Sequence, residues 1–231
     1  MAGSHVPLPD YWMPQPPMQL DDAVCRACDA LFATAVAQGA NQPFAYTLSI
    51  PKWQFLCYLV QRHNLALHGS GNAEIACFEP RQAVDLQAFG AQKAVYAAAD
   101  GIWPIYFAIV DRTKSASIIN ACVYLAQANG TMGEPYYCFS ISQHALPHYP
   151  YQNGVVYLLP SATFMRQPPM HVGPWHIHIA QLASLEAVVP LAKLAVTPED
   201  FPFLAQMRSH DDERLEEYAN AMSQGLPWPV H

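Results

Sequence analysis

The amino-acid sequence predicts an α+β fold, with helices near the two ends of the chain and short strands between them. Helical spacing of apolar residues is confined to about residues 21–62 and to residues 211–223. Between these segments, short apolar runs are separated by turn-forming Gly, Pro, Asn and Ser, which is typical of strands. Helices and strands do not alternate along the chain, and this favours α+β over repeated βαβ units.

Length and composition restrict the classes of protein to consider. The chain has 231 residues, a net charge of −7 and only 11 Lys and Arg. Because bulk nucleic-acid binding needs a clustered basic face, these values disfavour it. No apolar run reaches the roughly 18 residues of a membrane span, and the first residues do not resemble a secretory signal. We therefore expect a cytoplasmic protein without a membrane partner, in which residues 20–231 form one domain.

The N-terminal part predicts an extension followed by a helix. Residues 1–19 are rich in proline and are expected to follow the surface or to be disordered, without forming an element. Asp21 and Asp22 supply an N-cap and a negative first turn for a helix over residues 23–37. Gly39 is expected to end this helix.

The next segment predicts a strand and a second helix. Residues 44–50 alternate between apolar and polar side chains, which predicts a strand that Pro51 ends. Residues 53–60 have amphipathic spacing, and the basic Arg62 is expected in the last turn of this helix.

Two later apolar runs carry conspicuous polar or aromatic residues. The first, residues 65–67, leads into His68-Gly69-Ser70, and the second, residues 94–98, contains Tyr96. Both predict strands, and a strand that ends in such a turn presents backbone N–H and C=O groups to a flat ligand. Asp100, which follows the second run, and the later Asp111-Arg112 are interpreted as turn and surface charges.

The C-terminal half predicts mostly strands. Residues 115–128 fit a strand or a helix equally well. The predicted strands are residues 136–142, 155–159, 170–179, 186–189 and 191–196. Residues 211–223 predict a charged terminal helix.

The order of several short motifs resembles that of the ADP-ribosyltransferase superfamily, in the H-Y-E branch that includes the poly-ADP-ribose polymerases. These motifs are His68-Gly69-Ser70, the strand with Tyr96 and the downstream Tyr106, and Glu186 before a predicted strand. The similarity covers about residues 65–196. It implies a divergent transferase-like domain with split antiparallel β-sheets, N-terminal helices and a C-terminal helix.

The resemblance also implies a chemistry. NAD would be the substrate, no metal would be needed, and ADP-ribose would pass to water or to an acceptor that the sequence does not identify. His68 would hydrogen-bond a ribose hydroxyl of the adenosine half, to which a neutral imidazole can both donate and accept. Gly69, beside Ser70, would offer backbone groups to the nicotinamide carboxamide. Tyr96 and Tyr106 would stack on the nicotinamide ring.

Two further residues are assigned by the same resemblance. Glu186 would favour the positive charge that develops as nicotinamide leaves, and it would form the catalytic pair with His68. Trp103 stands where the family usually has a serine that contacts the carboxamide, so this wall of the site would differ. A transferase-like protein that binds its ligand without catalysis is therefore an alternative hypothesis.

A histidine-rich segment supplies a third hypothesis. His176 and His178 are two positions apart on a predicted strand, so their side chains share one face, and His171 lies nearby in the sequence. A transition metal needs about three or more convergent ligands. His176 and His178, completed by His171 or by the distant His144 and His148, therefore suggest a metal-binding module or a metal-dependent enzyme.

Overall fold

The computed structural model describes residues 7–82, 88–127 and 131–229 and has an α+β fold, as predicted. Its helices are α1 (Asp22–Gln38), α2 (Lys52–His63), α3 (Trp103–Ile109) and α4 (Leu215–Gln224). Its strands are β1 (Met13–Pro14), β2 (Leu65–Ser70), β3 (Arg81–Gln82), β4 (Lys93–Ala98), β5 (Ile118–Ala126), β6 (Met132–Ser142), β7 (Gly154–Pro160), β8 (Met165–Arg166), β9 (Met170–Val172), β10 (Trp175–Ile179), β11 (Gln181–Ser184), β12 (Ala192–Val196) and β13 (Arg208–His210). Short 3-10 helices lie at Leu146–His148, Pro198–Asp200, Leu204–Gln206 and Asp212–Arg214.

The strands form two sheets that are mainly antiparallel. Within the described residues, sheet one has the order β1-β6-β5-β10-β9, and β13 pairs in parallel with β6. Sheet two has the order β12-β7-β2-β4-β11-β8, and β3 pairs with β4. Consecutive strands are therefore often not neighbours, and β2 and β11 both lie beside β4.

The main hydrophobic core lies between the two sheets and includes α2 and α3. It contains, for example, Phe55 of α2, Ile105 of α3, Phe139 of sheet one and Leu158 of sheet two, all of which are fully buried. Burial of apolar side chains on both faces of α3 explains why this short helix forms within an uncharged run. Smaller clusters cover the opposite face of each sheet.

The N-terminal helices agree with the sequence predictions. The Asp21 carboxylate accepts a hydrogen bond from the Val24 N–H at 2.8 Å, as an N-cap does. At the other end of α1, Gly39 has a φ of +78° and donates its N–H to carbonyls of the last turn. The last turn of α2 contains Arg62, as expected.

The strand predicted at residues 44–50 is wrong. The Phe44 N–H donates to the Lys193 carbonyl at 3.1 Å, but these residues form no strand. Their alternation arises because Phe44 is buried and Tyr46 and Leu48 pack on the core. Alternating burial therefore indicated an extended chain here, whereas a strand also requires a ladder of backbone hydrogen bonds.

The N-terminal extension is more integrated than the proline content indicated. Residues 1–6 lie outside the described residues, but Tyr11 and Trp12 are 0% and 7% exposed. The next two residues form β1, in which Met13 pairs with Tyr137 of β6. The expectation of a surface extension without an element is wrong for this part, because two large aromatic side chains fix it to the protein.

Several C-terminal predictions needed correction. The ambiguous segment 115–128 contains strand β5, with residue 128 outside the described residues. Residues 170–179 form two strands, β9 and β10, and not one. Residues 186–189 form no strand, since only Val188 makes an isolated bridge, to Phe78.

The remaining predicted strands are present as β6, β7 and β12, with slightly different ends. The terminal helix is divided into a 3-10 turn and α4. None of the helices in the described ranges combines the length and the apolar character needed to cross a membrane.

Candidate functional site

Strands β2 and β4 are neighbours in sheet two but separate along most of their length. Leu67 pairs with Ala98, and no other β2 residue is in register with β4 within the described chain. On its other side, β2 is paired with β7 throughout, from Leu65 to Ser70. Residues 68–70 therefore border a gap in the sheet.

A cavity of about 350 Å³, here called the β2–β4 cavity, lies at this gap beneath α3. This volume falls within the range of about 300–1,000 Å³ that is typical of small-molecule sites. Its polar and aromatic lining comprises His68, Ser70, Tyr96, Trp103, Phe107, Arg112, Gln152 and Gln181. Among the described residues, no Asp or Glu lines it, and Arg112 supplies its only formal charge.

The structure brings together most of the site residues predicted from the sequence. His68, Gly69, Ser70, Tyr96 and Trp103 all line the β2–β4 cavity. Tyr106 and Glu186 are not among the lining residues.

One ring nitrogen of His68, which lines the cavity, has a hydrogen-bond partner in the protein. Its Nδ1 lies 2.7 Å from the Tyr96 carbonyl oxygen, which can only accept, so Nδ1 is the donor. Burial lowers the pKa of His68, and the hydrogen bond to Tyr96 opposes this only in part. The ring is therefore neutral at pH 7, and its Nε2 is left as an acceptor.

Tyr96 and Trp103 are held in place by hydrogen bonds at their polar ends. The Tyr96 hydroxyl lies within hydrogen-bonding distance of two carbonyl oxygens, those of Phe89 at 3.0 Å and Gln92 at 2.9 Å, which share its single proton. The Trp103 Nε1–H donates to the Asn120 side-chain oxygen at 2.7 Å. Both rings can therefore form fixed walls of the cavity.

Gly69 is required by the packing of α3 on β2. A Cβ atom at Gly69 would lie 1.7 Å from the Pro104 carbonyl oxygen and 3.0 Å from the Ala108 nitrogen. Both are backbone atoms of α3, so relief would require movement of the helix. Packing against α3 therefore explains a glycine at this position, independently of the ligand contact that the resemblance implies.

Tyr106 cannot stack on a ligand in the cavity, because its side chain points into the main core. It is 0% exposed, and its hydroxyl donates to the Ser140 carbonyl at 2.8 Å. Phe107 lines the cavity in its place, with its ring centroid 6.0 Å from that of Trp103. Residues 103 and 107 share one face of α3 because they are one helical turn apart, while residue 106 faces elsewhere.

Glu186 lies outside the cavity as well. It is exposed in a bend beyond the end of β11, where its N–H donates to the Ser184 hydroxyl at 3.2 Å. Gln181, the first residue of β11, lines the cavity instead. Gln181 pairs with Ala98, which in turn pairs with Leu67, so these three residues form one row across β11, β4 and β2.

Sequence reasoning missed Phe107, Arg112, Gln152 and Gln181. The spacing of Phe107 from Trp103 would have identified it once the run was assigned to a helix. Arg112 was grouped with turn charges, and β11 was not predicted as a strand. Gln152 gave no signal, because it reaches the cavity from the segment before β7.

Asp100 is not a surface charge. It is 3% exposed, and its carboxyl group accepts hydrogen bonds from the N–H groups of Ile102 and Trp103 and from the Tyr137 hydroxyl, at 2.7–2.8 Å. Burial raises the pKa of Asp100, and these hydrogen bonds oppose the rise. Asp100 therefore provides an acceptor for two N–H groups at the start of α3, and a smaller cavity of about 180 Å³ lies beside it.

Three histidines of the metal hypothesis, His171, His176 and His178, lie together on sheet one. The ring centroids of His171 and His176 are 4.8 Å apart, and those of His176 and His178 are 5.7 Å apart. The described part of the chain nevertheless contains no group of three or more His, Cys, Asp or Glu side chains arranged to hold a metal ion. The histidines share one face of the sheet, as predicted, but the described side chains do not converge in the way that metal ligands do.

A buried histidine lies in a polar cluster that the sequence did not indicate. The His210 cluster consists of Ser117, Ser140, Ser142, His210 and Asp212. The Ser117 and Ser142 hydroxyls donate to the Asp212 carboxylate. The His210 Nε2 lies 2.6 Å from the Ser117 Oγ, and its Nδ1 lies 2.8 Å from the Ser140 Oγ.

These contacts fix the direction of every proton in the His210 cluster. Because Ser117 donates to Asp212, its oxygen accepts from the His210 Nε2–H, and Ser140 donates to Nδ1. Burial lowers the pKa of His210 to about 4, although Asp212 and Asp211 oppose the shift. His210 therefore cannot take the proton of Ser117, and the cluster has no arrangement for nucleophilic catalysis.

Comparison of the chain with protein-family models, with curated proteins and with solved structures finds no match.

Proposed function

We propose that the β2–β4 cavity binds an NAD-type small molecule and that binding is not followed by ADP-ribosyl transfer. The proposal is carried by one observation. The two strands with the transferase-like motifs border the same cavity, but no carboxylate of the described residues lines it.

The aromatic wall suits a flat ring. Tyr96, Trp103 and Phe107 all line the cavity, and the first two are held by hydrogen bonds outside it. Stacking on such rings stabilises a nicotinamide-like ring without a charge on the protein. The gap beside Gly69 is where the carboxamide would meet the backbone of β2.

His68 suits a hydroxyl group. Its Nδ1–H is used by the Tyr96 carbonyl, so Nε2 accepts from a donor on the ligand. A ribose hydroxyl is such a donor. The role differs slightly from the one expected from the sequence, because the ring accepts and does not also donate to the ligand.

The absence of a carboxylate favours binding over transfer. Positive charge develops on the ribose as nicotinamide leaves, and a nearby carboxylate stabilises it. The resemblance expects Glu at the start of a late strand, where this chain has Gln181, and Glu186 is exposed beyond the other end of β11. A neutral amide supplies much less electrostatic stabilisation.

Calorimetric titration with NAD tests the binding. We expect the wild type and Glu186→Gln to bind equally, since Glu186 lies outside the cavity. His68→Ala should bind about tenfold more weakly, because one hydrogen bond to the ligand is lost. Thermal unfolding would check that both variants are folded. Failure of the wild type to bind NAD, ADP-ribose or nicotinamide would contradict the proposal.

Chromatographic detection of free nicotinamide separates binding from catalysis. We expect no release by the wild type and slow release by Gln181→Glu, which places a carboxylate at the start of β11. Release by the wild type would show that the protein is an ADP-ribosyltransferase or NAD glycohydrolase, and Glu186→Gln would then show whether that residue contributes.

A further inference from the structure

We propose that Arg112 binds an anionic group of the ligand, so that the β2–β4 cavity selects phosphate-bearing nucleotides over uncharged rings and nucleosides. This inference rests on the proposed function and specifies the class of ligand. Sequence reasoning assigned Arg112 no role beyond a surface charge.

The guanidinium group of Arg112 is available to a ligand. Arg112 is exposed and lines the cavity, and it makes no hydrogen bond or ion pair with any described residue. The adjacent carboxylate of Asp111 is used elsewhere. It accepts from the Thr113 N–H at 2.9 Å and from the Thr113 hydroxyl at 2.6 Å, and it lies 3.7 Å from the Lys114 Nζ.

The backbone that carries Arg112 is fixed in place. The Asp111 N–H donates to the Pro150 carbonyl at 2.9 Å, and the Gln152 N–H donates to the Ile109 carbonyl at 2.8 Å. Between these bonds, Val110 forms a bridge with Tyr151. The arginine therefore extends from an anchored segment at the end of α3, although its own side chain is exposed.

The charge of the lining makes an anion the favoured partner. Among the described residues, no Asp or Glu of the lining neutralises the positive charge of Arg112. The other polar side chains of the lining are uncharged. Arginine matches phosphate oxygens with two parallel N–H donors, which adds geometric selectivity to the attraction. Gln152 and Ser70 line the same cavity and offer further polar contacts.

Titration of Arg112→Gln with three ligands tests this inference. NAD and ADP-ribose carry phosphates, whereas nicotinamide does not. We expect NAD and ADP-ribose to bind about 10- to 100-fold more weakly to the variant and nicotinamide to bind equally to both proteins. Raising the salt concentration should weaken NAD binding to the wild type more than to the variant.

Arg26→Gln is the matched control, because it removes an exposed positive charge from α1 and not from the cavity. It should bind all three ligands like the wild type. Equal affinities of Arg112→Gln and the wild type for NAD and ADP-ribose would overturn the role of Arg112 and leave the proposed function intact. Arg112-dependent binding of ADP-ribose without binding of nicotinamide would support Arg112 and contradict the nicotinamide subsite. Failure of the wild type to bind any of these ligands would overturn both proposals.

Discussion

The β2–β4 cavity and the His210 cluster each contain a histidine with a lowered pKa, but they use it differently. In the His210 cluster both ring nitrogens contact serine hydroxyls of the protein. In the cavity, His68 uses Nδ1 for the Tyr96 carbonyl, and Nε2 remains for a ligand. Residue type alone does not distinguish a histidine whose two ring nitrogens have partners in the protein from one that could bind the proposed ligand. The difference lies in whether the polar atoms already have partners.

The surrounding sheets explain this difference. Ser140 and Ser142 lie on β6, and His210 lies on β13, which pairs with β6 through three consecutive residues. His68 lies where β2 has left β4. A continuous sheet brings polar side chains within hydrogen-bonding distance of one another, whereas separated strands leave room for another molecule.

The largest expected effect comes from closing the space between β2 and α3. Gly69→Ala should lower the free energy of unfolding by about 3 kcal/mol or more, because the new methyl group meets backbone atoms of Pro104. Gly71→Ala is the control, since its methyl group would meet the end of the flexible Gln152 side chain at 2.2 Å. Urea unfolding would measure both. Equal stability of the two variants would show that the packing of α3 on Gly69 does not determine the position of β2 beside the cavity.

Removal of each histidine should distinguish a structural from a binding role. His210→Ala should cost about 2–4 kcal/mol in unfolding free energy, because it removes the partner of the buried Ser140 hydroxyl and creates a cavity. His68→Ala should cost less stability, about 1–2 kcal/mol, but should weaken NAD binding. Chemical unfolding and calorimetry measure the two quantities. A reversed order of the stability losses would contradict the comparison.

The pH dependence of stability offers a third test. The pKa of His210 is about 4 in the folded protein, below its ordinary value of 6.5. Between these pH values the unfolded chain binds more protons than the folded protein. The contribution of His210 to stability is therefore fully present above about pH 6.5 and is lost as the pH decreases toward 4. His210 alone should contribute a loss of about 2 kcal/mol between pH 7 and pH 5. The lowered pKa of His68 acts in the same direction.

Urea unfolding of His210→Gln at pH 7 and pH 5 would isolate that contribution. The variant should lose less stability than the wild type over this interval, because the contribution of His210 is removed whereas that of His68 remains. If the variant and the wild type lost the same amount of stability between pH 7 and pH 5, the pKa of His210 would not be lowered in the folded protein.

The smallest expected effect concerns the support of the cavity wall. Tyr96→Phe removes the hydroxyl that bonds the Phe89 and Gln92 carbonyls but keeps the ring. We expect a stability loss of about 1 kcal/mol and a modest weakening of NAD binding, measured by urea unfolding and calorimetry. A loss of binding as large as that in His68→Ala would mean that the hydroxyl itself contacts the ligand.

Local sequence signals predicted the elements that depend on local interactions. Asp21 and Gly39 marked the ends of α1, and the apolar runs around Leu67 and Tyr96 marked β2 and β4. The same signals failed at residues 44–50, where an extended chain packs on the core without a ladder of hydrogen bonds. Periodicity reports which side chains are buried, and it does not report what the backbone bonds to.

By itself, the sequence determined the α+β class. The order of its motifs along the chain also predicted a common site for His68, Gly69, Ser70, Tyr96 and Trp103. Only the tertiary structure decided that Tyr106 is buried and Phe107 lines the cavity, and that Gln181 reaches the cavity whereas Glu186 does not. The reason is physical. Local sequence sets the propensity and periodicity of each element, but the rotation of a helix and the neighbours of a strand depend on contacts between residues far apart in the chain.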